Sequence, residues 1–574
     1  MGTISDKLMR IINTKEDIRQ ALISKGYDVP TSIPFKEYAK MISDLPCKVD
    51  DFPKLPGDVT RWYFGGLTNE MMAAMDDPRI EDADHKGRFL SFKNFAWKEG
   101  SGISDVYPGA LVFDGVDDYG VCENFPILTK EKGYTVVALR QWITYNPNAI
   151  SAIATNASDQ SFNGAFTFEN YNKGAEQTIS YGATQISLQY SKSPFSWQTT
   201  SKYNGVNIAN GNKDATNSLV LGRSYPQRND FANFAIWELV FLDHDATEEE
   251  LTNIKDYFVK TYPWLFPDQA WTVTGKTNED EDRATIANIT GNGNDLVLSN
   301  FGFAEGSGYG LYKTPFELYP SVQHSSKYSL SFSKFALGDH NLIIAPKQND
   351  LSYDIKVKVT GLKDGVKFKW GWIGTTGYID ITTDGIHMLN KPASQIRQLI
   401  VEFAEDFDPD HVVTIEQIPE YEGYLVTDGV DDIASSNTVV YEADFTFIGE
   451  WKFIQKDDTV AGINSSSHLY IQNRYNRGAT VMINSTFENK KNITDYMTFK
   501  AITSKGKGYD ENWNEVDLLY GDGNKGTSGV NIGGQGGTEF CHMIFKNMAL
   551  YMNKVFTKDE CIKAYNYLQT LKSK

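Results

Sequence analysis

Four short blocks of this chain occur twice in the same order, and this duplication limits the possible fold more than any other feature. The blocks are a Thr-Asn-Glu triplet, an Asn-Phe pair with a Gly-Ser-Gly triplet, an Asp-Gly-Val-Asp-Asp turn, and a strand followed by a Thr-x-x-Glu helix start. The first copy runs from Thr68 to Thr247 and the second from Thr277 to Thr557. The spacings agree, except that the stretch from Gly308 is longer by about a hundred residues. Equal spacing with one surplus predicts a duplicated domain that carries an insertion in its second copy.

The length of 574 residues requires several domains, because single hydrophobic cores rarely exceed about 300 residues. The repeat predicts six segments. They are a helical N-terminal segment (1–50), a connector (51–107), a first β-module (108–265), a second connector that repeats the first (266–310), an inserted small β-sandwich (311–421) and a second β-module (422–574).

Both large modules have the residue pattern of antiparallel β-structure. Aromatic residues at 13% and 47 glycines favour strands joined by many turns. Apolar residues alternate along Thr135 to Trp142 and along Phe445 to Phe453, which predicts strands. Each module ends in a capping box, Thr247 with Glu250 and Thr557 with Glu560, followed by an amphipathic helix. The predicted apolar helix faces are Leu251, Ile254, Tyr257 and Phe258 in the first and Ile562, Tyr565, Leu568 and Leu571 in the second.

The two modules resemble the laminin G-like branch of the concanavalin A-like lectin and glucanase superfamily. The resemblance rests on residues 111–118 with 235–258 and on residues 425–432 with 544–568, which together carry the strand, the Asp-Gly turn, the aromatic strand and the helix. It implies a mainly β fold with two concanavalin A-like jelly-roll sandwiches. It also implies glycan binding in many members and a calcium ion in some.

Residues 1–50 predict three short helices, each too short to fold by itself. We interpret them as a docking element that is stabilised by another subunit or another protein. A cap that packs on the first β-module is the alternative. The apolar residues of the predicted docking faces are Leu8, Ile11, Ile12, Ile18, Leu22, Ile23, Phe35, Tyr38 and Ile42.

The opening residues 12–26, with Val29-Pro30 and residues 35–42, resemble an N-terminal motif of tail and appendage proteins of tailed bacteriophages, including crAss-like phages of gut bacteria. The resemblance implies a virion structural protein that is made in the bacterial cytoplasm. It would dock on capsid or tail proteins through its N-terminus, form a homotrimer or another oligomer, and present lectin-like modules to bacterial surface glycans as a head or tail fibre. A purely structural virion protein without a ligand and a polysaccharide depolymerase remain alternatives.

The Asp-Gly-Val-Asp-Asp block permits two interpretations. Its carboxylates could bind a hard cation, so calcium is the one cofactor under consideration, although none is required. The second interpretation is a tight turn in which aspartate accepts hydrogen bonds from backbone amides and glycine adopts a positive φ. We favour the turn, because both copies keep the glycine and calcium needs further ligands. The candidate ligands are Asp114, Asp117 and Asp118 in the first copy and Asp428, Asp431 and Asp432 in the second.

Aromatic residues in predicted loops are the candidates for glycan binding. Lectins stack the apolar face of a sugar on an aromatic ring and add hydrogen bonds from amides and carboxylates. Packing at the rim of the core is the alternative role for each ring. The candidates are Trp197, Tyr203 and Tyr225 in the first module and Tyr475 and Trp513 in the second.

Other functions are disfavoured by features that the sequence lacks. Neither module has the Glu-x-Asp-x-x-Glu pattern that places two carboxyl groups on one face for glycoside hydrolysis, so we predict no enzyme activity. The net charge of −19 and the lack of a Lys/Arg cluster argue against nucleic acid as a partner. No apolar run reaches the roughly 18 residues of a membrane span. The four cysteines have no C-x-x-C spacing and are predicted to be free thiols.

Overall fold

The structure is a computed structural model of the 574-residue chain. It describes residues 15, 19, 51–128, 132–144, 152–155, 167–169, 185–190, 217–223, 231–291, 293–303, 306–311, 316–317, 324–326, 328–333, 342–346, 355–362, 366–372, 379–389, 397–403, 410–454, 460–465, 468–474, 478–483, 486–489, 499–518, 520–521, 525–535 and 539–572. Two compact units are present: Met1–Gly57 with Ala246–Thr261, and Asp58–Asp245 with Tyr262–Lys574.

The first repeat forms two six-stranded antiparallel sheets. Its strands are β1 (Val59–Tyr63), β2 (Arg79–Glu81), β3 (Phe89–Lys93), β4 (Gly102–Ile103), β5 (Leu111–Asp114), β6 (Tyr119–Cys122), β7 (Thr135–Trp142), β8 (Ala152–Thr155), β9 (Thr167–Glu169), β10 (Gln185–Tyr190), β11 (Leu219–Leu221) and β12 (Asn233–Leu242). One sheet has the order β10-β7-β12-β5-β4 with β1 beside β12, and the other has the order β2-β3-β6-β11-β8-β9. A short helix, α1 (Asn69–Ala73), follows β1. Side chains from both sheets share one buried core.

The smaller unit contains helix α2 (Glu248–Thr261). The predicted capping box is confirmed, since the Thr247 N–H donates to Glu250 Oε2 at 2.7 Å and the Glu250 N–H donates to Thr247 Oγ1 at 3.2 Å. Phe52 contacts Tyr257 edge-on at 5.1 Å between ring centroids. The predicted apolar residues Leu251, Ile254, Tyr257 and Phe258 are all buried. The predicted docking residues between Leu8 and Ile42 lie outside the described part of the chain, of which Lys15 and Arg19 are helical.

Four strands of the second repeat precede the insertion. They are β13 (Gln269–Thr272), β14 (Thr285–Ile286), β15 (Leu296–Ser299) and β16 (Gly308–Leu311). A 3₁₀ helix, Pro263–Leu265, comes before them.

The insertion forms two five-stranded antiparallel sheets of its own. Its strands are β17 (Phe316–Glu317), β18 (His324–Ser326), β19 (Ser329–Ser333), β20 (Leu342–Pro346), β21 (Ile355–Thr360), β22 (Val366–Trp372), β23 (Ile379–Ile381), β24 (Gly385–Leu389), β25 (Arg397–Phe403) and β26 (Val412–Gln417). The sheet orders are β17-β20-β25-β22-β23 and β18-β19-β26-β21-β24. Along β21, buried Ile355, Val357 and Val359 alternate with exposed lysines, as the sequence pattern predicts.

The rest of the second repeat completes two eight-stranded sheets. Its strands are β27 (Glu420–Val426), β28 (Ile433–Tyr441), β29 (Phe445–Phe453), β30 (Val460–Ser465), β31 (Leu469–Arg474), β32 (Gly478–Ile483), β33 (Thr486–Asn489), β34 (Phe499–Thr503), β35 (Lys507–Asp510), β36 (Glu515–Asp517), β37 (Gly526–Ile532), β38 (Gly534–Gln535), β39 (Glu539–Phe540) and β40 (Met543–Met552). One sheet has the order β16-β27-β40-β29-β34-β35-β36 with β13 beside β40, and the other has the order β14-β15-β28-β37-β30-β31-β32-β33. Strands β38 and β39 form a separate hairpin.

Helix α3 (Lys558–Thr570) closes the second repeat and starts with the predicted capping box of Thr557 and Glu560. Its buried face differs from the predicted one. Leu568 and Leu571 are buried as expected, whereas Ile562 and Tyr565 are only half-buried. The helical residues that are buried are Cys561, Ala564, Tyr567, Leu568 and Thr570. The predicted mainly β fold with few helices is confirmed. None of the described helices has the length and apolar character of a membrane span.

The segments that the sequence analysis treated as connectors contribute strands to the sandwiches. Trp62 of β1 faces Leu239 of β12, and Trp271 of β13 faces Met548 of β40. Both tryptophans are fully buried. Each jelly roll therefore begins earlier than the boundary at residue 108 or 422. The repeated tryptophan, seven residues before Asn69 or Asn278, is a sequence signal for this strand that was missed.

The insertion starts and ends on neighbouring strands, since Leu311 of β16 faces Glu420 of β27. Facing residues of an antiparallel pair lie about 5 Å apart. We therefore expect that replacing residues 312–419 by an Asn-Gly turn leaves the second sandwich folded and lowers its calorimetric unfolding midpoint by no more than about 5 °C. A deletion that also removes β27 is the control and should unfold this sandwich. Loss of the folded sandwich in the first variant would contradict the prediction.

Candidate functional site

The repeated Asp-Gly block forms a hydrogen-bonded turn that joins the two sheets of each sandwich. In the first copy, Asp114 Oδ1 accepts N–H groups of Val116 at 2.7 Å and Asp117 at 3.2 Å. The carboxylate of Asp118 points back into the turn, and its Oδ2 accepts the Asp114 N–H at 3.0 Å. The turn links β5 of one sheet to β6 of the other. The backbone N–H groups between the two strands have no partner in either sheet, and side chains accept their hydrogen bonds instead.

The Asn-Phe and Gly-Ser-Gly blocks bind the same turn. Ser101 Oγ donates to Asp118 Oδ1 at 3.0 Å and accepts the Ala96 N–H at 2.8 Å. Asn94 Nδ2 donates to the Asp117 carbonyl at 3.0 Å. These blocks lie on another passage between the sheets, from β3 to β4. The repeated residues therefore tie two crossovers of the jelly roll together.

The second copy reproduces this network. Asp432 Oδ2 accepts the Asp428 N–H at 2.8 Å. Ser307 Oγ donates to Asp432 Oδ1 at 2.9 Å, and Asn300 Nδ2 donates to the Asp431 carbonyl at 2.9 Å. The two copies thus use the same residues for the same contacts.

The asparagine of the Thr-Asn-Glu block makes two hydrogen bonds to the backbone of a single residue. Asn69 accepts the Ile103 N–H at 2.7 Å and donates to the Ile103 carbonyl at 2.8 Å. Asn278 binds the N–H and carbonyl of Tyr309 in the same way, at 2.7 and 3.1 Å. A Cβ atom on Gly102 would lie 2.3 Å from Asn69 Oδ1, which explains the glycine of the Gly-Ser-Gly block.

Burial changes the protonation of the central aspartates. Asp118 and Asp432 have no exposed surface. Burial, assisted by neighbouring carboxylates, raises the pKa of both side chains from 3.8 to about 7. Hydrogen bonds from the backbone and from Ser101 or Ser307 oppose the shift but do not cancel it.

These turns fit the tight-turn interpretation better than a calcium site. The possible ligand atoms of Asp114, Asp117 and Asp118, and likewise those of Asp428, Asp431 and Asp432, lie within 4.8 Å of one another. Both oxygens of Asp118 and one oxygen of Asp114 already accept hydrogen bonds. Calcium prefers six to eight oxygen ligands, which the remaining carboxylate oxygens do not supply. The hydrogen bonds are those of a structural turn, and calcium binding by these carboxylates stays a prediction.

Aromatic and ionic side chains converge elsewhere, in a cavity of about 340 Å³ on the second sandwich. This volume lies in the usual range for small-ligand sites. Glu450 and Lys452 lie on the outer face of β29, because they alternate with core residues Trp451 and Phe453. The lining residues are Tyr424, Gly449, Glu450, Trp451, Lys452, Phe499, Lys500, Glu511, Asn512, Ile544 and Tyr565. They come from β27, β29, β34, β40, the turn between β35 and β36, and α3. We call this site the outer-face cavity.

Glu450 is the acidic centre of the outer-face cavity. The Tyr424 hydroxyl donates to Glu450 Oε1. Lys546 Nζ lies 3.4 Å from Glu450 Oε2 and 5.6 Å from the centroid of the Tyr424 ring. Burial, together with the Glu450 carboxylate, raises the pKa of the hydroxyls of Tyr424 and Tyr565. Both hydroxyls therefore remain protonated donors at neutral pH.

Lys500 and Tyr565 line the cavity, and Trp513 lies beside them. Lys500 Nζ lies 4.9 Å from the ring centroid of Tyr565 and 5.3 Å from that of Trp513. The two rings meet edge to face, with centroids 5.5 Å apart and an interplanar angle of 83°. A cation over aromatic faces is attracted by the ring quadrupole, so the ammonium group is oriented.

The loop that carries Trp513 is fixed by its own hydrogen bonds. Asp510 Oδ1 accepts the N–H groups of Asn512 and Asn514, both at 2.8 Å, and the Asp510 carbonyl accepts the Trp513 N–H at 3.0 Å. Trp513 itself has a φ of +62° and is half-buried. Of the predicted glycan-binding residues, the structure places Trp513 beside the cavity. Trp197, Tyr203, Tyr225 and Tyr475 lie outside the described residues.

The positions of Glu450 and Tyr424 are apolar in the first repeat. Glu450 faces Asn547 next to a bulge in the strand pairing, and Leu139 faces Glu238 at the corresponding bulge. The residue before Leu425 is Tyr424, whereas the residue before the equivalent Leu111 is Ala110. Ala110 and Leu139 are fully buried. The two copies share the turn network but differ in the cavity.

Comparisons with known proteins do not place the chain in a family. No family model and no curated protein matches it. Among solved structures, a Trypanosoma rangeli sialidase in complex with sialic acid is 10% identical, with a TM-score of 0.21 over 86% of this chain and 67% of that one. The botulinum neurotoxin serotype G binding domain is 7% identical, with a TM-score of 0.21 over 71% of this chain and 88% of that one. Similarity at this level identifies neither a family nor a ligand.

We expect the buried aspartates to make folding stability depend on pH. Their folded pKa of about 7 exceeds the ordinary value of 3.8, so their contribution is complete below about pH 4 and is lost as the pH rises through 7. The double variant Asp118→Asn, Asp432→Asn should therefore gain stability relative to the native protein as the pH rises from 4.5 to 8. Thermal unfolding across this range measures the difference. The double variant of exposed Asp117 and Asp431 to Asn is the control, and parallel curves for the native protein and the buried double variant would contradict the prediction.

Proposed function

We propose that this protein is a carbohydrate-binding virion appendage whose second sandwich carries the binding site. The observation that supports binding is the outer-face cavity, where aromatic rings, two carboxylates, a carboxamide and ammonium groups line one depression. Saccharides are recognised by such sets, because the ring C–H face packs on an aromatic surface while hydroxyls bind charged or amide groups.

The cavity residues have distinct roles in this proposal. Tyr565 and the neighbouring Trp513 provide the apolar contact for the sugar ring. Glu450 accepts hydrogen bonds from sugar hydroxyls, and its position is held by Tyr424 and Lys546. The proposed binding needs no metal ion and involves no bond cleavage.

The virion role is supported by the resemblance of the opening residues to appendage proteins of tailed phages. In this proposal the N-terminal segment docks on capsid or tail proteins, and the chain assembles as a homotrimer in a head or tail fibre. The lectin-like module then contacts glycans on the bacterial surface. The charge of −19 is consistent with a partner other than nucleic acid.

Glycan-array binding by the full chain tests the site. We expect Tyr565→Ala and Trp513→Ala each to weaken binding at least about tenfold, the equivalent of about 1.4 kcal/mol, because both substitutions remove the ring surface. Tyr63→Ala is the matched control, since Tyr63 is an exposed ring on the first sandwich. This substitution should leave glycan binding unchanged. An array without any bound glycan would leave only a structural role. New reducing ends after incubation with host polysaccharide would indicate a depolymerase instead.

Deletion of the residues before Val49 tests the docking role separately. We expect the truncated chain to keep its β-sandwiches, as measured by circular dichroism, and to be absent from purified particles. A variant with the second sandwich removed is the control and should still be incorporated. Incorporation of the truncated chain at the normal level would rule out N-terminal docking.

A further inference from the structure

We infer that the outer-face cavity selects an acidic saccharide, with the ligand carboxylate bound by Lys500. This inference rests on the proposed function, since it names the class of saccharide for the same cavity.

The charges around the cavity are not evenly compensated. Glu450 forms an ion pair with Lys546, at 3.4 Å, and accepts a hydrogen bond from the Tyr424 hydroxyl. Lys500 and Lys452 also line the cavity, and among the described residues neither makes an ion pair within 4 Å. Lys500 contacts the two rings of Tyr565 and Trp513, and its charge also acts on the carboxylate of Asp510. Glu450 thus has a cation of its own, and the second lining carboxylate, Glu511, is exposed to solvent. The two lining ammonium groups remain available to an anion.

The position of Lys500 suits a sugar acid better than a simple anion. Its ammonium group lies against the same rings that offer an apolar surface to a ligand. A uronic or nonulosonic acid combines an apolar ring face with a carboxylate on the ring edge. Stacking on Tyr565 and ion pairing with Lys500 can therefore occur in one bound pose. An inorganic anion would use the charge and leave the rings unused.

Glu450 gives this pose a direction. Its carboxylate would repel an acidic group, so the edge of the sugar that faces Glu450 must carry hydroxyls. The carboxylate of the ligand is then directed to Lys500 on β34, the strand that pairs with β29. A neutral saccharide would fill the same volume but leave the ammonium groups without a counter-charge.

The net charge of the chain does not prevent this recognition. A total of −19 opposes the approach of an anion at long range. At physiological ionic strength, however, exposed charges are screened beyond about 8 Å. Within that distance a ligand carboxylate interacts with the ammonium group of Lys500 directly.

The experiment measures binding of the full chain to three carboxylated oligosaccharides: tetragalacturonate, a hyaluronan tetrasaccharide and 3′-sialyllactose. Each is compared with its methyl ester, which keeps the ring and removes the charge. We expect at least one acid to bind and its ester to bind at least about tenfold more weakly. Added salt should weaken binding of the acid. Lys500→Gln should weaken binding of the acid at least about tenfold and leave the affinity for the ester unchanged. Lys500→Arg should restore binding of the acid.

Three results would overturn the inference: equal affinity for acid and ester, unchanged affinity in Lys500→Gln, or no binding of any of the three acids. A neutral glycan that binds the full chain and is lost in Tyr565→Ala would overturn the acidic class and leave the proposed function standing. If neither acidic nor neutral glycans bind, both proposals fail. Near-ultraviolet circular dichroism of each variant separates a loss of binding from a loss of folding.

Discussion

The crossovers between the two sheets of each jelly roll are the points on which the rest of the structure depends. A chain that leaves one ladder has backbone N–H and carbonyl groups without strand partners, and buried groups of this kind are costly. Asp118 and Asp432 satisfy such groups at one crossover, because each buried carboxylate accepts hydrogen bonds from the turn and from a serine on a second crossover. The repeated blocks are therefore the hydrogen-bonding residues of the fold, which is why both copies keep them.

Because the repeated residues hold the crossovers, the side chains on the outer face of the sheet can differ between the two copies. Inward-facing side chains of β29 build the core, whereas Glu450 and Lys452 on the other face line the cavity. In the first copy, Leu139 occupies the position of Glu450 and is buried. A change on this face leaves the crossover network untouched, so a binding site can arise in one copy without loss of the fold.

The sequence alone predicted features that neighbouring residues form. It did not predict the cavity, which is formed by residues far apart in the chain. The repeat, the two capping boxes and the Asp-Gly turn are local, and periodicity and hydrogen-bonding chemistry predicted them. Trp513 was selected by residue type alone. Glu450, Tyr424 and Tyr565 were missed as site residues, because their meeting depends on the pairing of β27 and β29 with β40 and on the rotation of α3. Tyr565 was assigned to the apolar face of that helix and lies at its edge instead.

The insertion and the outer-face cavity are linked by one strand. In the first copy, β4 and β5 pair directly, and a short loop joins them. In the second, the corresponding pair is β16 and β27, and the inserted sandwich takes the place of the loop. Strand β27 carries Tyr424, the residue that holds Glu450. It begins at Glu420 and is longer than β5, so the chain returning from the insertion extends the sheet beside the cavity. The insertion therefore lies at the edge of the sheet and its returning strand supplies Tyr424, whereas Glu450 lies on the inner strand β29.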